Sequence, residues 1–305
     1  MPEAIAINAR TRLCAVLGHP VRHSASPAMQ NAGFEALGLN WRYLAFEVRA
    51  EDLRAALLGA KAMQMAGLNL TVPHKLLALD LVDVLDESAK TWGAVNTLRL
   101  EGRDKAGTWL PMCRFIDTPP EKIRWQGFNT DAEAVTRSIR ESLGLELNGA
   151  RVLLLGAGGG GRTAALKLAA EGVSELFLVN RTESRAATIA AEIRRRHSNV
   201  KVRLGYPRGE IDLLMNATSL GLAAGDALPW DGRQFSLRQA RLVYDMIYHP
   251  AETEFLKAAK AAGCRTSNGI GMLLYQGAAA FELWTGQPAP LEVMRRALET
   301  KVHGD

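Results

Sequence analysis

The segment Asn69-Leu70-Thr71-Val72-Pro73-His74-Lys75 sets a lysine just past the end of an apolar run. Open α/β sheets bind their ligands at such strand ends. Three more polar groups sit at comparable places. Gly18-His19-Pro20-Val21-Arg22-His23-Ser24-Ala25-Ser26-Pro27 follows an earlier apolar run and offers two hydroxyls, Ser24 and Ser26, with backbone amides at a strand-to-helix turn. That combination suits a small anion such as a carboxylate, and Ser26 can also cap the helix. Asn96 comes from the run Gly93-Ala94-Val95-Asn96-Thr97-Leu98, and Asp131 closes Gly127-Phe128-Asn129-Thr130-Asp131. Any one of these groups alone is an ordinary cap or solvated charge. Together, Ser, Thr, Lys, Asn and Asp at successive strand ends are what a polyhydroxylated acid needs. His19 and His23 have no Asp, Glu or Cys close by in sequence, so no metal is expected there.

A second constellation is Gly156-Ala157-Gly158-Gly159-Gly160-Gly161, placed directly after the apolar run Val152-Leu153-Leu154-Leu155 and opening a helical stretch. Gly156, Gly158 and Gly161 satisfy G-x-G-x-x-G, in which glycines allow a tight turn and close backbone approach to a pyrophosphate. The following strand ends Val179-Asn180-Arg181-Thr182-Glu183-Ser184-Arg185. An NAD-selective site carries an acidic side chain there for the ribose 2′-hydroxyl; Asn180, Arg181 and Arg185 instead favour a 2′-phosphate. NADP is therefore expected over NAD. Glu183, at a helix start, reads as a partner of the helix dipole, and Arg194-Arg195-Arg196 as a solvated helix face.

These groups need a scaffold of strands alternating with helices. Apolar runs at Leu13–Leu17, Trp41–Val48, Ala66–Val72 and Ala94–Leu100 alternate with helical patterns from Ser26 and from Glu51, which points to parallel pairing. The stretch Glu101–Gln126, with Trp109, Pro111, Pro119, Pro120 and Trp125, keeps no period and reads as an irregular excursion or a loop with a small hairpin. Asn129-Thr130-Asp131 caps a helix running to Gly144. From Arg151 onward, continuous apolar strands predict a sheet covered on both faces. The two terminal helices, Gly271–Trp284 and Leu291–Leu298, are too short for a domain of their own and are expected to pack on the first one.

Composition narrows the class. The chain has 305 residues, 48% of them hydrophobic and 23% charged, enough for about two domains with real cores. Lys and Arg number 37 against 32 Asp and Glu, a mixed surface without the clustered basic and aromatic residues of a nucleic-acid binder. No apolar run reaches the roughly 18 residues of a membrane span, and the start lacks a signal-peptide pattern. The three cysteines, Cys14, Cys113 and Cys264, form no close pair, which fits a reducing cytoplasm.

The motifs resemble the shikimate dehydrogenases and the related quinate/shikimate dehydrogenases along nearly the whole chain. Matching segments are His23–Pro27, Asn69–Lys75, Gly93–Leu98, Asn129–Asp131, Gly156–Arg162 and Asn180–Thr182. They continue with Asn216-Ala217-Thr218-Ser219-Leu220-Gly221, Tyr244-Asp245-Met246-Ile247-Tyr248 and Met272-Leu273-Leu274-Tyr275-Gln276. The resemblance implies an α/β fold of two domains with a cleft between them. Residues 1–128 and 269–305 would form a discontinuous substrate-binding domain, and residues 129–268 a Rossmann-type NADP-binding domain. It implies that Ser24 and Ser26 hold the substrate carboxylate, that Thr71, Asn96, Asp131, Tyr248 and Gln276 surround the ring hydroxyls, and that Lys75 is the acid/base residue. Gly156, Ala157, Gly158, Gly159, Gly160, Asn180, Arg181, Thr182, Arg185, Met246 and Gly269 would line the NADP site.

The implied reaction is reversible, NADP-dependent reduction of 3-dehydroshikimate to shikimate, in aromatic amino-acid biosynthesis. Secondary-alcohol oxidation needs a hydride acceptor, which the nicotinamide supplies, and a base for the hydroxyl proton. Lys75 and Asp131 are assigned jointly: Asp131 orients the reacting hydroxyl and Lys75 moves its proton. Quinate/shikimate oxidation with NAD or NADP and an amino-shikimate dehydrogenase are the alternatives within the class; a catalytically silent ligand sensor is the alternative outside it. Loss of Lys75 or Asp131 would mark a sensor, and both are present. The implied partner is the small-molecule substrate, with a homodimer left open. Glu101–Gln126 departs from the family pattern, being longer than the usual connection.

Overall fold

The computed structural model describes residues 6–116, 118–223 and 225–304. Within it the chain forms two compact units: one runs to Thr130 and resumes at Gln276, the other is Asp131–Tyr275.

In the first unit, β1 (Arg12–Gly18), α1 (Ser26–Ala36), β2 (Trp41–Glu47), α2 (Leu53–Ala62) and β3 (Gly67–Leu70) alternate as the apolar pattern requires. Short elements follow: α3 (His74–Leu77), β4 (Val84–Leu85) and α4 (Glu87–Trp92). Then come the strands β5 (Thr97–Arg103), β6 (Trp109–Pro111) and β7 (Lys122–Phe128). The sheet order is β2-β1-β3-β5-β7-β4, with β6 beside β5. Pairing of β1 with β2 and β3 is parallel, but β5 runs antiparallel to β3, β6 and β7. The all-parallel expectation fails there; β5 and β6 are joined by a short hairpin connection, which pairs strands antiparallel.

The excursion is more regular than its sequence suggests. Glu101 is 2% exposed and lies between Arg99 at 2.5 Å and Arg124 at 2.8 Å. The guanidinium of Arg12 on β1 donates to the carbonyls of Met112, at 2.5 Å, and Phe115, at 2.6 Å. The segment is thus built onto the first unit's core, where Met112 and Trp125 are buried. Trp125 donates its indole N–H to the Leu57 carbonyl, so its polar atom is satisfied.

The second unit holds α5 (Asp131–Leu143), β8 (Arg151–Leu155), α6 (Gly159–Ala170), β9 (Glu175–Val179), α7 (Glu183–Arg196) and β10 (Lys201–Leu204). It continues with β11 (Ile211–Asn216), β12 (Ala240–Asp245), α8 (Glu254–Ala261) and β13 (Arg265–Ser267). Its six strands run in the order β10-β9-β8-β11-β12-β13, every pair parallel. Counted from β8 this is the 3-2-1-4-5-6 order of the Rossmann fold, with its switch point between β8 and β11. The α/β class and the Rossmann-type sheet expected from sequence are what the structure has. The helix α9 (Ile270–Thr285) begins in the second unit and ends in the first. α10 (Leu291–His303) packs on α1 in the first unit.

Candidate active site

In the first unit two turns are zipped together at the strand ends. The amide of Thr71 donates to the Leu17 carbonyl at 3.0 Å, and that of His19 to the Val72 carbonyl at 2.8 Å. Gly18 leaves room for this approach: a Cβ on it would fall 2.3 Å from the Thr71 methyl. Ser24 Oγ accepts from the Ser26 amide at 3.3 Å, and Ser26 is buried in the first turn of α1. The capping position of α1 is Ala25, with no side-chain cap, so Ser26 does not cap the helix as its sequence suggests.

Lys75 lies one residue into α3, and its carbonyl accepts from the Val95 amide at 2.8 Å, placing it beside the turn that carries Asn96. The neighbouring His74 is fully buried, with Nε2 2.9 Å from the Val48 carbonyl. Burial pushes its imidazole pKa down, against the bond to Val48 that raises it. A neutral ring donating from Nε2 satisfies that carbonyl and pins the lysine turn to the end of β2.

Asn96 is 2% exposed and its amide orientation is determined. The Thr130 backbone N–H can only donate, and it lies 2.7 Å from Asn96 Oδ1. Nδ2 is therefore turned to Thr130 Oγ1 at 2.9 Å and to Gln276 Oε1 at 3.4 Å. Gln276 Oε1 is thereby the acceptor of this pair, and its Nε2 carries the donor hydrogens. Behind Asn96, Tyr43 donates to Asn69 Oδ1 at 2.7 Å, Asn69 Nδ2 donates to Thr97 Oγ1 at 3.0 Å, and Thr97 Oγ1 lies 3.0 Å from Thr130 Oγ1. Sequence reasoning passes over Tyr43, Thr97 and Thr130 as members of the site. The available signal is Asn69, a polar residue in the otherwise apolar strand Gly67–Leu70, all four of whose residues are buried. Thr71, Lys75, Asn96 and Gln276 thus share one hydrogen-bonded neighbourhood in the first unit.

Asp131, Tyr248 and the residues expected to line the NADP site lie in the second unit. Asp131 is the buried first residue of α5, where the helix dipole favours an anion. After β8, Gly156 has φ +106° and a Cβ on it would fall 2.9 Å from the Ala217 carbonyl group. A Cβ on Gly161 would fall 2.3 Å from the Gly156 oxygen. Only glycine fits either place, whereas at Gly158 a Cβ would meet open space. The backbone there is accessible at the start of α6, which fits a dinucleotide pyrophosphate. The amide of Ala157 donates to Asn180 Oδ1 at 2.9 Å, and Asn180 Nδ2 to the Thr182 carbonyl at 2.8 Å. Asn180 thereby ties the glycine loop to the turn bearing Arg181, which is exposed, as are Thr182 and Arg185. Gly159 and Gly160 form the first turn of α6, with Met246 Cε 3.2 Å from a Cβ built on Gly160. Gly269 serves packing as well: a Cβ would fall 2.1 Å from the Met246 oxygen.

Comparison with known proteins matches three segments of the chain. The shikimate dehydrogenase substrate binding domain model matches residues 16–98, the shikimate / quinate 5-dehydrogenase model residues 138–219, and the shikimate 5'-dehydrogenase C-terminal domain model residues 269–299. A curated shikimate dehydrogenase (NADP(+)) from Methanopyrus kandleri is 40% identical over 306 residues, covering 98% of each chain. The chain belongs to the shikimate dehydrogenase family. Among solved structures, a shikimate dehydrogenase in complex with NADP+ superposes with TM-score 0.79 at 33% identity, covering 97% of this chain and 98% of that one. A ligand-free 5-ketofructose reductase from a Gluconobacter strain superposes at 0.74 with 34% identity, covering 96% and 99%. The same fold is thus found in an enzyme named for a different polyhydroxylated ketone.

Proposed function

We propose that this protein catalyses the reversible, NADP-dependent reduction of 3-dehydroshikimate to shikimate, a step of aromatic amino-acid biosynthesis. The observation that carries the reading is the hydrogen-bonded neighbourhood of Lys75, Thr71, Asn96 and Gln276 in the unit matched by the substrate-binding domain model. Ser24 and Ser26 receive the substrate carboxylate. The oriented amides of Asn96 and Gln276, with Thr71 and Tyr248, bond the ring hydroxyls. The bound nicotinamide supplies the hydride in reduction and accepts it in oxidation. Lys75 gives a proton from its ammonium group to the carbonyl oxygen in reduction and takes it back from the hydroxyl in oxidation. Asp131 accepts a hydrogen bond from the reacting hydroxyl and so holds it in one orientation. Gly156 to Gly160 receive the pyrophosphate, with Met246 and Gly269 alongside, and Asn180, Arg181, Thr182 and Arg185 take the 2′-phosphate end.

The substrate-binding domain is residues 1–128 with 269–305, and the NADP-binding domain is residues 129–268. A cytoplasmic setting belongs to the same reading, supported by Cys14, Cys113 and Cys264, all free thiols. So does a homodimer, supported by Leu44 and Phe46, which stand exposed on the edge strand β2.

The test is an initial-rate matrix of shikimate, quinate and 5-ketofructose, each with the NADP and NAD couples. Shikimate with NADP+ should give the highest kcat/KM. No rate with shikimate and either cofactor would overturn the reading.

A further inference from the structure

The turn after β12 carries Met246 and Tyr248, and one buried carboxylate holds it. Asp245 is fully buried. Its Oδ1 accepts from the Ile247 amide at 3.1 Å and from Asn216 Nδ2 at 3.0 Å, and its Oδ2 accepts from Thr253 Oγ1 at 2.7 Å. The three donors come from three places: the turn itself, the last residue of β11, and the capping residue of α8. Thr253 Oγ1 also accepts from the Leu256 amide at 3.2 Å, so this one hydroxyl fixes both the helix start and the carboxylate.

Asn216 carries the connection onward. Its Oδ1 accepts from the Thr218 amide at 3.0 Å and the Thr218 hydroxyl at 2.7 Å, which shapes residues 217–221. That loop lies against Gly156 at the Ala217 carbonyl, and the Met246 side chain lies against Gly160. Asp245 therefore sits at the centre of a closed circuit running from the glycine loop through residues 216–221 to the Met246–Tyr248 turn and back.

The strand order says which half of a dinucleotide this circuit serves. With the pyrophosphate at the glycine loop after β8, the two nucleosides extend in opposite directions across the strand ends. Arg181 follows β9 on one side and takes the 2′-phosphate adenosine. The nicotinamide half then lies on the side of β11 and β12. We propose that Asp245 is a positioning residue for the nicotinamide half: it fixes the Met246–Tyr248 turn against the glycine loop and touches no ligand itself. This inference rests on the NADP reading above. Three converging donors are what a buried carboxylate requires to stay ionised, since burial pushes Asp245 up to about 6 against the bonds that lower it.

Equilibrium binding of two probes separates positioning from general damage. Adenosine 2′,5′-bisphosphate occupies only the Arg181 side, whereas NADP+ occupies both. The proteins are wild type, Asp245→Asn, Thr253→Val and Thr253→Ser. Asparagine sets an NH2 against one of the three donors, and valine deletes the Thr253 bond at nearly constant shape. Bisphosphate affinity should stay within about twofold in all four proteins, while NADP+ binds about tenfold or more weakly to Asp245→Asn and Thr253→Val. Thr253→Ser should recover wild-type NADP+ affinity. Equal weakening of both probes, unchanged affinity for both, or unfolding of Asp245→Asn and Thr253→Val together would overturn the proposal. A wild-type protein that binds neither probe would overturn the NADP reading itself.

Discussion

The turn that carries Lys75 is held on both sides of the residue. The imidazole of His74, just before it, bonds the Val48 carbonyl, and the Lys75 carbonyl receives the Val95 amide. Replacing the side chain should leave this scaffold intact, because none of these bonds uses Nζ. Lys75→Ala is therefore expected to lower kcat for shikimate oxidation by about 10²–10⁴-fold, with KM for shikimate changed by no more than a few-fold. Steady-state kinetics check this, and turnover near wild type would remove Lys75 from the acid/base role. Asn96 illustrates the complementary case. Its value to the site lies in which of its two amide atoms faces Gln276, and the Thr130 backbone amide dictates that choice.

At the scale of elements, the fit of α9 on the first unit's sheet depends on one glycine. Trp284 is buried and donates its indole N–H to the Leu98 carbonyl at 2.9 Å. The ring passes directly over β3, where a Cβ on Gly67 would fall 2.0 Å from Nε1. Gly67 pairs with Arg99 on one side and Cys14 on the other, so its backbone cannot retreat. Gly67→Ala should destabilise the protein by about 1–3 kcal/mol through overpacking. A urea midpoint equal to that of wild type would mean that the indole moves aside at little cost. Helix α9 also carries Gln276, so the same substitution bears on the candidate site through packing alone.

At the scale of the whole molecule, stability is expected to depend on pH with contributions of opposite sign. Burial raises Asp245 from its ordinary 3.8 to about 6, outweighing the hydrogen bonds that lower it. A raised carboxyl favours the folded state fully below the unfolded value and loses that contribution as pH rises through the folded one. The window is therefore about pH 3.8 to 6, and the loss is about 3 kcal/mol at 1.36 kcal/mol per pH unit. Glu192 acts in reverse: desolvation raises it, but Arg162 and Arg196 bring it below its ordinary range, so it stabilises the fold as pH rises. Comparing wild type with Asp245→Asn isolates the first effect. Wild-type stability relative to the variant should fall between pH 4 and 7 in denaturant unfolding, and parallel curves would contradict it.

What the sequence determined on its own is what a dozen neighbouring residues decide. The apolar run at Val152–Leu155, the glycines after it and the helix beyond are dictated locally, by side-chain burial and backbone conformational freedom, and the α/β class follows. Tertiary structure alone decided the antiparallel course of β5 and β7, the docking of Met112 and Phe115 onto Arg12, and the chain of bonds from Tyr43 to Asn96. It also decided that Asp245, the last residue of β12, bonds Asn216, 29 residues away at the end of β11. These features share a physical reason. A buried polar group must find its partner wherever the folded chain brings one, and the distance along the sequence carries no record of where that is.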